Sequence, residues 1–155
     1  MDNWAWSLSL IGLTIAMHAT GVTVMVSALD RYRLRLGRQA HGLTHVAAIA
    51  IAVFTAMGLS LAVLHGIEAA FWAAAYAWLG AFDSYGAALL YSLDSMATRG
   101  ASGAVLPPSL QILGALEAGD GMLLFGISAA CIFTVMQFYF QNLVIERPGG
   151  SIPAK

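Results

Sequence analysis

The residues best equipped for chemistry in this 155-residue chain are four histidines and a few acids scattered among apolar runs. His41 and His45 stand four apart, which puts two imidazoles on one helix face at a spacing that suits metal ligation. No acid or cysteine beside them completes a ligand set. His65 and Glu68 stand three apart and can pair with each other or form a proton-sensitive contact. His18 falls near the middle of an apolar run, where the expected partner is a serine or threonine of a neighbouring helix. Residue counting along the spans described below puts His18 and His65 at different depths, so no shared site is expected. Arg99 has Asp94, Glu117 and Asp120 as possible charge partners. Cys131 is the single cysteine, so an intrachain disulfide is excluded, and it reads as a small residue of an apolar run. No nucleophile and base are paired and no metal constellation emerges; neither an enzyme, a metal nor a cofactor is expected.

The elements that must carry these residues are set by composition. Hydrophobic residues make up 59% and charged residues 10%, with a mean hydropathy of +0.77, which leaves too few polar groups to cover a water-soluble globule. The expectation is an all-α integral membrane protein whose first partner is the lipid bilayer. The net charge of -1 provides no excess for nucleic acid.

Three spans follow from length and charge. Residues Trp4 to Leu29 carry no charge over more than the ~20 residues that a crossing needs, with Trp4 and Trp6 at the headgroup end. Asp30 to Arg38 holds four arginines in what reads as a short connection. Leu43 to Leu64 is the second span, and its helical pattern continues through His65, Glu68, Trp72, Tyr76 and Trp78 as an aromatic collar expected to emerge at the interface. Gly121 to Val144 is the third, preceded by a more polar approach from Leu110 to Asp120. With the arginine-rich connection inside, parity puts Arg31, Arg33, Arg35, Arg38, Arg147 and Lys155 inside and only Arg99 outside. The N-terminus is then external and the C-terminal tail cytoplasmic.

Between the second and third spans lies a shorter mixed segment, Ser84 to Gly103, which reads as a short helix followed by a glycine- and serine-containing loop. In so apolar a chain this predicts a re-entrant pore helix, because irregular backbone at membrane depth is tolerated only where protein or water covers it.

Those residues carry a resemblance. Tyr91-Ser92-Leu93-Asp94-Ser95-Met96-Ala97-Thr98-Arg99-Gly100-Ala101-Ser102-Gly103 resembles the pore helix and filter of the bacterial potassium-channel superfamily, whose small two-transmembrane ion-channel proteins follow a pattern like S-x-x-T-x-T-T-x-G-Y-G-D. Tyr91 and Ser92 match its aromatic-serine lead, Thr98 the second filter threonine and Gly100 the first filter glycine. Ala70-Phe71-Trp72-Ala73 with Tyr76 is similar to the end of the family's outer helix. Leu113 to Glu117 and Gly121 to Gly126 are similar to the start of its inner helix. Thr14, His18 and Gly21 resemble part of an extra N-terminal span found in some members. The resemblance implies a homotetramer for passive transport of an inorganic ion across a bacterial inner membrane. It divides the chain into a helix and basic loop (1–42), a pore module (43–147) and a short tail (148–155).

The filter differs from the pattern. Ala97 replaces the first threonine, and Ala101, Ser102 and Gly103 replace the tyrosine, the second glycine and the acid. Stacked carbonyl rings need such glycines and bracing groups, so weak or altered selectivity is implied. Arg99 stands at an apolar position of the pattern. Four such cations ~8 Å apart around one axis would cost roughly 2 kcal/mol per neighbouring pair at an effective dielectric of about 20, unless neutralised. Arg99 either faces the conduit and opposes cations, or pairs with Asp94, Glu117 or Asp120 and braces the loop; pairing is the usual state of an intramembrane charge. Gln137 and Gln141, with Asn142, are candidates for a wetted inner pore. The alternative function is a pore-module descendant that does not conduct and serves as a membrane scaffold or regulatory subunit.

Overall fold

A computed structural model of the chain describes residues 3–36, 43–100 and 104–145, with side chains described over 5–31, 47–100 and 104–138. His41, Arg38, Ala101, Ser102, Gly103, Arg147 and Lys155 lie outside the described residues, as do the side chains of His45, Gln141 and Asn142. The elements are α1 (Asn3–Leu36), α2 (Leu43–Trp78), the short α3 (Tyr85–Met96), one 3-10 turn (Pro108–Leu110) and α4 (Gln111–Ile145). All regular structure among the described residues is helical.

Three of the helices are long and apolar enough to cross a membrane, over Ala5–Arg31, Ala47–Trp78 and Pro108–Phe138. Their outward side chains are apolar, with Leu59, Val63, Met122 and Phe125 exposed, whereas Ser7, Thr14, His18, Glu68, Glu117 and Asp120 are buried. A polar interior beneath an apolar exterior reverses the arrangement of a water-soluble protein and fits a membrane protein.

The helices differ from the sequence expectations in three places, in extent or in burial. The arginine-rich stretch is helical through Leu36 rather than a loop from Asp30, in keeping with the good helix propensity of Arg and Leu. The helix of the second span runs on to Trp78 as its pattern predicts, but its distal part is no emerging aromatic collar, since Trp72 and Tyr76 are fully buried. The approach from Leu110 to Asp120 is no polar lead-in but the first three turns of the third helix, with Glu117 and Asp120 turned inward.

Local sequence explains where the helices stop. After α2, Gly80 takes a left-handed φ of 66°, while the N–H groups of Gly80 and Ala81 bond the carbonyls of Ala77 and Tyr76. This is the Schellman ending that glycine favours. After α3 the same motif recurs, with Thr98 bonding Ser95 and Arg99 bonding Asp94, but the left-handed position is held by Thr98 at φ 55°. A β-branched residue there is strained. Ser84 caps the start of α3 by accepting a hydrogen bond from the Ala87 N–H, and Pro107 and Pro108 precede α4, where a missing N–H costs nothing.

α1 packs on α2 and α4, and α3 packs on α2 and α4. One apolar cluster, built on Trp72, Tyr76, Ala88, Leu106 and Leu113, joins α2, α3 and α4. A second, built on Val53, Met57 and Val135, closes the opposite end of the bundle, with Cys131 half-buried against it. Most of the buried polar residues lie along the helices between these two clusters, and Trp72 and Tyr76 belong to both the first cluster and the polar set.

Candidate functional site: a buried polar column

Each long helix presents a polar stripe at helical spacing. On α1 it is Ser7, Thr14 and His18; on α2, His65, Glu68, Trp72 and Tyr76; on α4, Glu117, Asp120 and Ser128. Intervals of three, four, seven and eight residues keep one face. All of these side chains are buried except that of His65, which is partly exposed. Over the eleven residues from His65 to Tyr76 the column runs about 16 Å, half a hydrocarbon core.

At one end of the column lies a closed ring of four groups. Glu68 Oε1 is 2.8 Å from His18 Nδ1, and Glu68 Oε2 is 3.2 Å from His65 Nδ1. Ser128 Oγ is 3.0 Å from His18 Nε2 and 3.1 Å from His65 Nε2. The imidazole centroids are 5.1 Å apart. Glu68 Oε2 nevertheless accepts no hydrogen bond, because its approach to His65 lacks the required geometry.

This overturns the expectation that His18 and His65 lie at different depths. His18 is fifteen residues into α1 and His65 thirteen residues before the end of α2, about 22 and about 20 Å along antiparallel helices. Ending the second span near Leu64 had put His65 too close to the surface. The serine partner expected for His18 is present as Ser128.

One turn before His18, the Thr14 hydroxyl donates to Asp120 Oδ2 at 2.7 Å, which also accepts from Trp72 Nε1 at 3.1 Å. Asp120 Oδ1 is buried without a hydrogen bond. A turn earlier on α4, Glu117 Oε2 accepts from the Tyr76 hydroxyl at 2.7 Å and Oε1 is bonded to Ser92 Oγ. Ser92 also donates to the Ala69 carbonyl at 2.8 Å, and Ser95 to that of Gly114 at 3.2 Å. These bonds fasten α3 to both α2 and α4. Beside them the Tyr91 ring stacks edge-on to Tyr76.

The sequence-derived site residues divide accordingly. Arg99 meets Asp94, Nη1 to Oδ1 at 3.3 Å, with the guanidinium 70% exposed and the carboxylate 5% exposed. Glu117 and Asp120 are not its charge partners: both face the column, where hydroxyl and indole donors bind them. Tyr91, Ser92 and Ser95 lie on α3 as expected, and Thr98 with Gly100, at φ 73°, forms the turn beyond it. Gln137 is exposed on α4. Trp72, Tyr76 and Ser128 were not recognised as members of a polar site, although the run of His65, Glu68, Trp72 and Tyr76 at intervals of three and four was the available signal.

Next to the turn, a cleft of about 480 Å³ is lined by Tyr91, Ser95, Thr98, Gly100, Gly114, Ala115, Ala118 and Met122. It is bordered largely by small side chains. Comparison of the chain with protein-family profiles, curated proteins and solved structures gives no match.

Proposed function

We propose that this protein is a pore-module subunit that assembles as a homotetramer and passes inorganic ions passively, with weak or altered selectivity. One observation carries the reading. α3 has twelve residues, about 18 Å of helix and too short to cross a ~30 Å core, yet buried bonds from Ser92 and Ser95 hold it against two helices that are long enough. It ends in a turn with left-handed backbone at Thr98 and Gly100. A short helix fixed at membrane depth and followed by exposed backbone is what a carbonyl-lined constriction requires.

Three further features agree with it. The column fills the interior of a single bundle, so a water path is best formed between copies around an axis. Gly119 and Gly126 of α4 have no heavy atom near a Cβ position, which leaves a surface that another helix can approach closely. The Arg99–Asp94 pair neutralises the ring of cations that would otherwise oppose cation passage. In this reading the protein lies in a bacterial inner membrane with its N-terminus outside and its C-terminal tail inside.

Purified protein in liposomes, assayed separately for potassium, sodium and chloride flux, tests the proposal. Flux from a cross-linked tetramer supports it. A verified tetramer that passes none of the three ions sinks it and leaves the scaffold or regulatory role.

A further inference from the structure

We propose that His18, His65 and Glu68 form a three-ligand site for a divalent transition metal, zinc by its donor set, at the junction of α1, α2 and α4. One ligand atom from each residue lies within 4.8 Å of the others. Two imidazoles and a carboxylate are a zinc donor set that leaves a fourth position open. His65 and Glu68 supply two ligands from one face of α2, and His18 faces them from α1.

Proton inventory shows that the ring has room for one further positive charge, a proton or a metal ion. Its four contacts need four protons, and Ser128 with two neutral imidazoles supplies three. With Glu68 ionised, one contact is bare and the buried cluster carries a net negative charge. Glu68 Oε2, fully buried and 3.2 Å from His65 Nδ1, is the atom left without a hydrogen bond. An uncompensated carboxylate in such surroundings is costly.

A metal ion resolves both deficits. Both Nδ1 atoms face the Glu68 carboxylate, so an ion held there is bound through Nδ1, and each Nε2 then carries a proton. Ser128 Oγ has two lone pairs and sits 3.0 and 3.1 Å from those two nitrogens, where it accepts from both and fixes their tautomer. Its own proton turns to a carbonyl of its helix, as the Thr134 and Ser60 hydroxyls do. Asp120 lies one helical turn away through Thr14, with its Oδ1 free of hydrogen bonds. The His65 side chain is 27% exposed, so the ligand set is not sealed on every side.

The test uses the full chain in detergent micelles carrying H41A and H45A, so that His18 and His65 are its remaining histidines. Zn²⁺ alone is titrated calorimetrically, and Co²⁺ is substituted to read coordination from its visible absorption. The expected result is one Zn²⁺ per chain and a tetrahedral Co²⁺ spectrum. Affinity falls about tenfold or more in His65→Ala and in Glu68→Gln, and about tenfold in Ser128→Ala. His65→Ala decides should His18→Ala fail to fold, because His65 is the least buried ligand. Folded protein that binds no Zn²⁺, or binds it equally well in His65→Ala and Glu68→Gln, overturns the assignment.

Discussion

Gly121 of α4 lies directly against the backbone of Met96 at the end of α3: a Cβ on Gly121 would stand 2.5 Å from the Met96 carbonyl oxygen and 2.6 Å from its Cα. Backbone, unlike a side-chain tip, has no rotamer through which to yield. Gly121→Ala is therefore expected to push α3 off α4 and to cost about 1–3 kcal/mol, read as a lower unfolding midpoint in detergent. Gly12→Ala, at an open position on α1, is the control and should leave the midpoint unchanged or slightly raised. Equal midpoints for the two variants would show that the contact is not made.

Glu117 gathers α2 and α3 through separate oxygens, Tyr76 on one and Ser92 on the other. Tyr76→Phe and Ser92→Ala should each lower stability by about 1 kcal/mol. Because both act through one carboxyl group, their double variant should depart from additivity by about 0.5 kcal/mol or more. A strictly additive cycle would mean that Glu117 does not link the two helices.

At the turn after α3, the strained Thr98 marks a place where sequence and geometry disagree. Thr98→Gly should relieve the left-handed conformation and raise stability by about 1 kcal/mol, seen as a higher unfolding midpoint. If the turn borders the conduit, the same variant changes flux in liposomes; a destabilised variant would show that Thr98 does not hold a positive φ.

Arg99 is largely exposed and its carboxylate partner is not. Removing the exposed member should cost the isolated subunit less than about 1 kcal/mol, whereas assembly should suffer if the pair braces the loop between copies. Arg99→Gln is expected to reduce the cross-linked tetramer; intact assembly with altered flux would instead favour an arginine facing the conduit.

Much of this fold was legible in the sequence. Stretches without charge longer than a bilayer is thick gave three crossing helices, and Ser84, Pro107 and Pro108 delimited the short one. The boundaries were less legible because Glu117 and Asp120 read as signs of water. Their surroundings come from other helices, and a linear pattern gives the face of a helix but not its neighbour. His18 and His65 show the same limit: forty-seven positions apart in the chain, they meet because antiparallel helices bring matching distances from their ends to one level. The Arg99–Asp94 contact was foreseeable, since both residues belong to one local segment.

The division of the column among helices bears on how the chain is made. The partners of Glu68 and Asp120 are drawn in part from α1, as His18 and Thr14, and α1 leaves the ribosome before α2 and α4. Those two groups are mild burdens for a lone apolar helix, whereas a carboxylate near the centre of one costs about 2.5–3.5 kcal/mol on insertion. An α1 already resident in the bilayer would then offer partners to Glu68 of α2 and Asp120 of α4 as those helices arrive. Insertion of α2 should accordingly be more efficient behind α1 than alone, as scored by glycosylation of an engineered acceptor, and His18→Leu should erase that advantage. Seen this way, His18 and Thr14 act during biogenesis as receiving groups for charges that arrive later.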